Sequence, residues 1–386
     1  MRIVADRDIP QIRSAFSDIG DVELVSGRTL TAKQLDDAEI LLVRSVTRVD
    51  ANLLEGTNVS YVGTATSGID HLDTEYLRQR GISYFDAAGC NARAVAEYVL
   101  ACSFLHGQLG HRDPSEIKVG IIGYGHVGTI VHSMLSALGL NCVINDPPLE
   151  RDSPEDRFVE IDEALTSDIV TLHVPYSAEG DFPTAGLIGV AQLSRTHPNV
   201  LLINAARGGV IDEQALISWL DDRSEARVAI DCWTGEPAVD LRLLGRAAIA
   251  TPHIAGHTIQ ARLRATTMLR EQFSTEFGIA PKWRAPQVDL LELRLRTWKS
   301  HNSIDVLDDA VLSCCDPRIA TADMRNATDF TVERWALEFD ELRRKAAKRC
   351  EFSAYRVACN SLQSDTVSAL TKLGFNTTMN DTTHGE

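Results

Sequence analysis

From its first residue the chain alternates short apolar runs with stretches whose apolar positions recur every three to four residues. RIVAD, ILLVRS, SYVGTAT and ISYFDA read as buried strands, separated by segments of helical period such as HLDTEYLRQRG. That alternation predicts a parallel sheet with helices on its faces. A long helical stretch, ARAVAEYVLACSFLHGQ, and a polar link, HRDPSE, close the series. A second series opens at KVGIIG and continues through NCVIND, DIVTLHVP, NVLLINAA, ARVAIDCW and AAIATPHI, with TIVHSMLSALG and DEQALISWLDD between them. Six such runs predict a doubly wound nucleotide-binding domain. A helical segment from Thr258 to about Phe277 follows.

Beyond Pro286 the pattern changes. LELRLRTW, a helical FDELRRKAAKRCEF, a strand-like YRVACN and a closing helix and strand in SDTVSALTKLGFN predict a small α+β unit. The last residues, NDTTHGE, read as disordered. The expected fold class is therefore α/β, with two doubly wound parallel-sheet domains and a small α+β C-terminal domain.

Length and composition narrow the class of function. A chain of 386 residues with 44% apolar and 24% charged positions is a globular protein of more than one domain. Its formal net charge of −16 argues against nucleic acid or an anionic membrane as the main partner. An anionic substrate must then meet a local cluster of arginines and backbone amides. No apolar run reaches bilayer length, and MRIVADRDIP carries charge where a secretory signal is apolar. Eight cysteines without CxxC spacing suit a reducing compartment, so a cytoplasmic enzyme is expected.

The cofactor signal is KVGIIGYGHVGTIV. Gly123, Gly125 and Gly128 form GxGxxG straight after a strand and at the opening of a helix, where the amides of His126 and Val127 can face a pyrophosphate. The next strand ends at Asp146, 18 residues after Gly128, where a carboxylate can accept from a ribose diol and would repel the extra phosphate of NADP. NAD is the cofactor expected.

Ligands in such sheets sit beyond the carboxyl ends of the strands. There the second series carries Arg207 after LLINAA, Glu236 within DCWTGEP and His253 after AIATP. Alone, each is ordinary: a surface ion-pair arginine, a turn glutamate, a loop histidine. Together on one sheet they suit oxidation of a hydroxyl. Histidine takes the hydroxyl proton, a carboxylate fixes its tautomer, and arginine clamps a substrate carboxylate in two parallel bonds. His253 and His257 stand four apart in TPHIAGHT, but Pro252 and Gly256 disfavour a helical pair and no third ligand is apparent, so no metal is expected.

These residues resemble the D-isomer-specific 2-hydroxyacid dehydrogenases, whose marks are the fingerprint, NAARGGVID, DCWTGEP and PHIAG. In that family the arginine binds substrate, the glutamate pairs with the histidine and the histidine is the acid–base. A narrower resemblance, to the branch that oxidises a phosphorylated four-carbon hydroxy acid for vitamin B6 synthesis, rests on RIVADRDIP, LLVRSVTRVD, VGTATSGIDHLD, AAGCNARAVAEYV, NDPP and the C-terminal LGFN. It implies that Ser45 and Thr66 contact substrate, that Asp146, Asp231 and Gly256 contact NAD, and that the tail is a dimerisation domain making a homodimer. Arg44 is a further candidate for the phosphate. Two positions depart from the pattern: His257 replaces a tyrosine that contacts substrate, and Val174 replaces a threonine at the cofactor, leaving only a backbone contact there.

The expected domains are 1–95 with 258–285 for substrate, 96–257 for NAD and 286–380 for dimerisation, with the active cleft between the first two. The alternatives are 3-phosphoglycerate dehydrogenase of serine synthesis and a non-catalytic NAD-sensing corepressor of the same fold.

Overall fold

A computed structural model describes the chain apart from residues 108, 110, 154–156, 281, 298–299, 301, 328–331 and 380–386, and at 332 and 333 it describes the backbone alone. The tail expected to be disordered lies outside the described residues. The chain divides into two compact units, Met1–Asn91 with Ile259–Val288, and Ala92–Thr258 with Asp289–Glu386.

In the first unit, strands β1 (Arg2–Asp6), β2 (Asp21–Val25), β3 (Ile40–Val43), β4 (Tyr61–Thr64) and β5 (Ser83–Phe85) form a parallel sheet in the order β2-β1-β3-β4-β5. Both faces are covered, as the continuous apolar runs require. Successive residues of a strand point to opposite faces. Ile3, Ala5, Ile40 and Leu42 accordingly enter one core cluster, while Val4, Leu41 and Val43 enter another. Leu269 and Phe273 of the helix Ile259–Phe277 fill the first of these clusters. That packing returns a late segment of sequence to the first unit. Each fully buried Leu or Phe stabilises by about 1.5–3 kcal/mol.

Strand β2 is absent from the sequence-based expectation. It is an edge strand, DVELV, with only Val22 and Val25 buried, so its apolar signal is weak.

The second unit carries β6 (Lys118–Ile122), β7 (Asn141–Asn145), β8 (Ile169–Leu172), β9 (Leu201–Asn204), β10 (Arg227–Ile230) and β11 (Ile249–Ala250) in a parallel sheet of order β11-β10-β9-β8-β6-β7. The order reverses between β6 and β8, the switch point at which such sheets bind ligands. Helix Ala92–Leu105 is buried along nearly its whole length and packs on helix His126–Ala137, so the first unit ends at Asn91 and not at 95.

The C-terminal segment adds β12 (Leu291–Leu293), β13 (Tyr355–Ala358) and β14 (Asn376–Thr378), a three-stranded parallel sheet. Helices Ser303–Cys314 and Pro317–Asn326, unnamed in the sequence-based expectation, precede a helix Val332–Ala346 that begins before FDELRRKAAKRCEF and stops short of its end. The segment shares the cores of the second unit. Leu307, Ala310 and Val311 pack in one cluster with Val99 and Cys102, and Met324, Trp335 and Phe339 in another with Leu243 and Ala250. No boundary at 286 separates a third core, because the apolar faces of these helices are buried against the nucleotide-binding fold.

Candidate active site

Neighbouring parallel strands β9, β10 and β11 deliver Arg207, Glu236 and His253 from the same edge of the sheet. The loops that carry them are tied to one another. Asn204 at the end of β9 donates from Nδ2 to the Arg207 carbonyl (3.0 Å), and its Oδ1 accepts from the Ala206 amide (3.2 Å). Gly208 lies so close to the next loop that a Cβ there would fall 2.0 Å from the Trp233 carbonyl oxygen. Trp233 donates its amide to Glu236 Oε1 and its indole Nε1–H to the Thr251 carbonyl, each at 2.8 Å.

His253 Nδ1 lies 2.9 Å from Glu236 Oε2. A carboxylate only accepts, so Nδ1 carries the proton and Nε2 is left as the basic nitrogen. Burial by itself opposes the imidazolium, yet the ring's pKa is raised well above the ordinary histidine value because Cys232 and Glu236 lie against it. Burial pushes the Cys232 thiol up and keeps it neutral, so the Glu236 carboxylate is the charge that matters. Burial also pushes the Glu236 carboxyl up, but His253 outweighs it and the net direction is down. The carboxylate thus fixes the ring and favours its imidazolium form, so Nε2 accepts a proton only once rising pH has left the ring neutral.

The backbone of His253 is left-handed, at φ 54°. A non-glycine residue in that region costs on the order of 1–3 kcal/mol and persists only where its surroundings hold it. Asp231, 1% exposed, holds it: Oδ1 accepts from the Ile254 amide (2.7 Å) and Thr251 Oγ1 (2.6 Å), and Oδ2 from the Ala255 amide (2.9 Å). Asp231 was expected to contact NAD; these bonds give its carboxylate the further work of shaping the histidine loop. Asn204, Gly208, Trp233 and Thr251 escaped the sequence reading, although they lie inside the motifs that drew attention.

The cofactor residues fit a dinucleotide. Gly123 has φ 94°, and a Cβ there would meet the His173 carbonyl carbon and oxygen at 2.7 Å and the Val174 amide nitrogen at 2.9 Å. The backbone of Val174 therefore borders the fingerprint turn. A Cβ on Gly128 would strike the Gly123 oxygen at 2.1 Å, whereas one on Gly125 would meet nothing within 4 Å. The first and third glycines serve packing, and the second leaves open space before the helix whose first residues are His126 and Val127. Asp146 accepts from the Tyr124 amide (2.7 Å) and the Leu149 amide (3.0 Å), which aims the carboxylate beside that turn. Two oxygens offer about four acceptor sites, so a diol can add to those two bonds. Gly256 lies between Ala255 and His257 on the histidine loop, partly exposed.

In the first unit, Ser45 and Thr66 follow the adjacent strands β3 and β4. Ser45 is exposed; Thr66 Oγ1 donates to the Gly68 carbonyl (3.2 Å) and lies 2.6 Å from Thr64 Oγ1. Arg44 differs from its expected role. Its Nε donates to Asp6 (3.0 Å) and its Nη2 to Asp8 (2.7 Å), so two carboxylates already offset its charge. His253 and His257 turn to different partners: Nε2 of His257 accepts from Arg343 Nη2 at 3.3 Å. Among the described residues no group of three metal-ligating side chains occurs, and no helix is long and apolar enough to cross a membrane.

Residues 93–255 match the family model described as D-isomer specific 2-hydroxyacid dehydrogenase, NAD binding domain. Among solved structures, a 3-phosphoglycerate dehydrogenase from Entamoeba histolytica with bound NAD+ covers 74% of this chain and 99% of its own at 23% identity and a TM-score of 0.63. A D-lactate dehydrogenase from Aquifex aeolicus covers 72% and 96% at 22% identity and a TM-score of 0.60. The chain is an NAD-dependent oxidoreductase of the D-isomer-specific 2-hydroxyacid dehydrogenase class. Curated relatives narrow the class. An erythronate-4-phosphate dehydrogenase of Marinobacter nauticus is 40% identical over 97% of this chain and 99% of its own, and one of Citrobacter koseri 37% over 97% and 98%. The chain belongs to the erythronate-4-phosphate dehydrogenase family.

Proposed function

We propose that this chain oxidises the 2-hydroxyl of 4-phospho-D-erythronate to the 2-oxo acid, 3-hydroxy-2-oxo-4-phosphooxybutanoate, a step of pyridoxal 5'-phosphate synthesis. The observation that carries the proposal is the 2.9 Å pair of His253 Nδ1 and Glu236 Oε2, standing one strand from Arg207. Arg207 clamps the substrate carboxylate through its planar fork and so fixes the carbon beside it. His253 Nε2 takes the hydroxyl proton, and Glu236 steadies the imidazolium that results. NAD, when bound, supplies the acceptor for the hydride that leaves the same carbon. In the reverse direction His253 returns its proton to the 2-oxo group.

Gly123, Gly125, the amides of His126 and Val127, Gly128, Asp146, the backbone of Val174, Asp231 and Gly256 are the proposed cofactor contacts. Ser45, Thr66 and His257 are the proposed further substrate contacts. We also assign residues 286–380 to dimerisation, giving a homodimer, and place the protein in the cytoplasm, a reading supported by the family likeness and by eight free thiols. Sedimentation of the purified protein tests the dimer.

The reaction is tested by following NADH absorbance with purified protein, NAD and either 4-phospho-D-erythronate or 3-phosphoglycerate. A 2-oxo acid acceptor runs in parallel with product analysis, in case reduced cofactor stays bound. Preference for the four-carbon acid supports the proposal. Preference for phosphoglycerate keeps the chemistry and overturns the substrate; NAD binding with turnover of neither points to the sensor.

A further inference from the structure

Helix Ile259–Phe277 docks on the start of the first unit through residues four apart, which share one face of a helix. Arg262 Nη2 donates to the Asp8 carbonyl at 2.6 Å, Thr266 Oγ1 to the Pro10 carbonyl at 2.8 Å, and Arg270 Nη2 to the Asp18 carboxylate at 3.0 Å. The two arginines of this stripe have different surroundings. Arg270 is fully buried and holds both a carboxylate and, at 2.6 Å, Ser274 Oγ. Arg262 is only partly buried and holds a main-chain carbonyl. Among the described residues it makes no ion pair, and its Nε and Nη1 bond to no group of the protein.

Arg262 also stands where a sheet of this kind takes its ligands. Asp8 follows β1, Arg44 and Ser45 follow β3, and Thr66 follows β4, three neighbouring strands read at their carboxyl ends. Asp8 faces both arginines, with its main-chain carbonyl on Arg262 and its carboxylate on Arg44 Nη2 at 2.7 Å. The Asp6 carboxylate accepts from Arg44 Nε at 3.0 Å and from the Asp8 amide at 2.9 Å. Both carboxylates are thus engaged by Arg44. Burial and the neighbouring Arg44 charge press the Arg262 pKa below the ordinary arginine value, and Asp8 and Asp6 do not outweigh them. A partly buried guanidinium beside a like charge gains more from an anion than a solvated one does. The four side chains sum to no net charge, so the anion is selected by the geometry of the fork and not by a general positive field.

We propose that Arg262 is a specificity-determining residue that binds the phosphate of the substrate at this strand-end cluster, next to Arg44 and the proposed contact Ser45. The inference rests on the substrate class proposed above and deepens it. A substrate with both a carboxylate and a phosphate needs two cationic anchors; Arg207 takes the carboxylate and Arg262 the phosphate. Nη2 carries two hydrogens, one of which is committed to Asp8. The other, with a hydrogen of a neighbouring nitrogen, presents two parallel donors to two phosphate oxygens, which an ammonium does as a point charge only. The bond to Asp8 holds that fork in one plane.

The test uses the full-length protein and the variants Arg262→Ala and Arg262→Lys. Steady-state kinetics are measured by product analysis with 4-phospho-D-erythronate and with unphosphorylated D-erythronate, in the presence of NAD and a 2-oxo acid acceptor. Inorganic phosphate is titrated as a competitive inhibitor. Removing a charge-assisted contact raises KM for the phosphorylated acid roughly 10- to 100-fold, and the inhibition constant for phosphate by a similar factor. KM for the unphosphorylated acid changes little, so discrimination between the two acids falls. Lysine keeps a charge and the reach to the Asp8 carbonyl but loses the fork, and it restores part of the discrimination. A thermal melt separates folding from binding: if Arg262→Ala melts early, the comparison is made on Arg262→Lys, which keeps the helix docked. Equal losses on both acids, or a phosphate inhibition constant left at the wild-type value, overturn the proposal and leave Arg262 a helix-docking contact. Wild-type protein that shows no preference for the phosphorylated acid overturns the substrate reading instead, whatever the variants do.

Discussion

Gly208→Ala tests whether the arginine loop and the glutamate loop work as one unit. A Cβ at 208 would stand 2.0 Å from the Trp233 carbonyl oxygen, 2.3 Å from its carbon and 2.8 Å from the Thr234 nitrogen. All three are backbone atoms, so no side chain can swing aside. Real Cβ contacts stay beyond 3.0 Å, and the loops must part by about 1 Å. The turn around Trp233 resists that shift, because its amide holds Glu236, its indole holds the Thr251 carbonyl and the next amide holds Glu213 at 2.7 Å. The displacement passes to Arg207 or Glu236. A misplacement of about 1 Å costs roughly 10²-fold in rate, or about 3 kcal/mol of barrier, and overpacking costs about 1–3 kcal/mol of stability. The assay is kcat and KM with 4-phospho-D-erythronate, beside a thermal melt and NAD affinity. Gly245→Ala is the control, since a Cβ there meets nothing within 4 Å. A folded Gly208→Ala protein with kcat within about threefold of wild type would refute the reasoning.

Four further perturbations probe the same loops. His253 must be neutral to accept a proton, and its pKa is raised; oxidation therefore gains rate as pH rises, with an inflection well above 6.5. Glu236→Gln removes the charge that favours the imidazolium, so the inflection in the pH profile of kcat/KM moves down and the plateau falls by roughly 10²-fold or more; an inflection left in place sinks the assignment. Arg207→Lys, read by KM for the hydroxy acid, weakens binding by about 10- to 100-fold because a point charge replaces the fork; wild-type KM would remove the clamp. Asp231→Asn turns an NH2 toward amides that are themselves donors, and calorimetry should show a loss of about 2–4 kcal/mol with kcat falling alongside; an unchanged melt would mean that other bonds hold the loop.

Parallel sheets were legible because their strands are buried on both faces and so write continuous apolar runs, as ILLV and LLIN do. The edge strand DVELV shows only half of that signal and was missed. The three strand-end residues were legible because a sheet of this kind dictates where ligands bind, whatever the loops do. What holds those residues was not. Asp231 reads as one more strand-end acid until its oxygens are traced to amides 23 and 24 positions away. The C-terminal helix gave its period but not its target, since an amphipathic face does not say which surface covers it.

The left-handed backbone at His253 connects these points. A strained residue persists only where several independent bonds fix it, and four of those here are the His253 amide donating to the Asp231 carbonyl at 2.8 Å, the next two amides donating to the Asp231 carboxylate, and the Arg349 guanidinium donating to the Ala255 carbonyl. Three come from the end of β10 and one from the C-terminal segment. An imidazole fixed in this way meets its proton donor without first searching rotamers or backbone wells, so the cost of orientation is met during folding and not during turnover. The same logic accounts for the burial of Asp231 at the site. In water its charge would favour no particular loop, whereas in a dry pocket each amide it gathers is worth more, and leaving any one of them unmet is expensive.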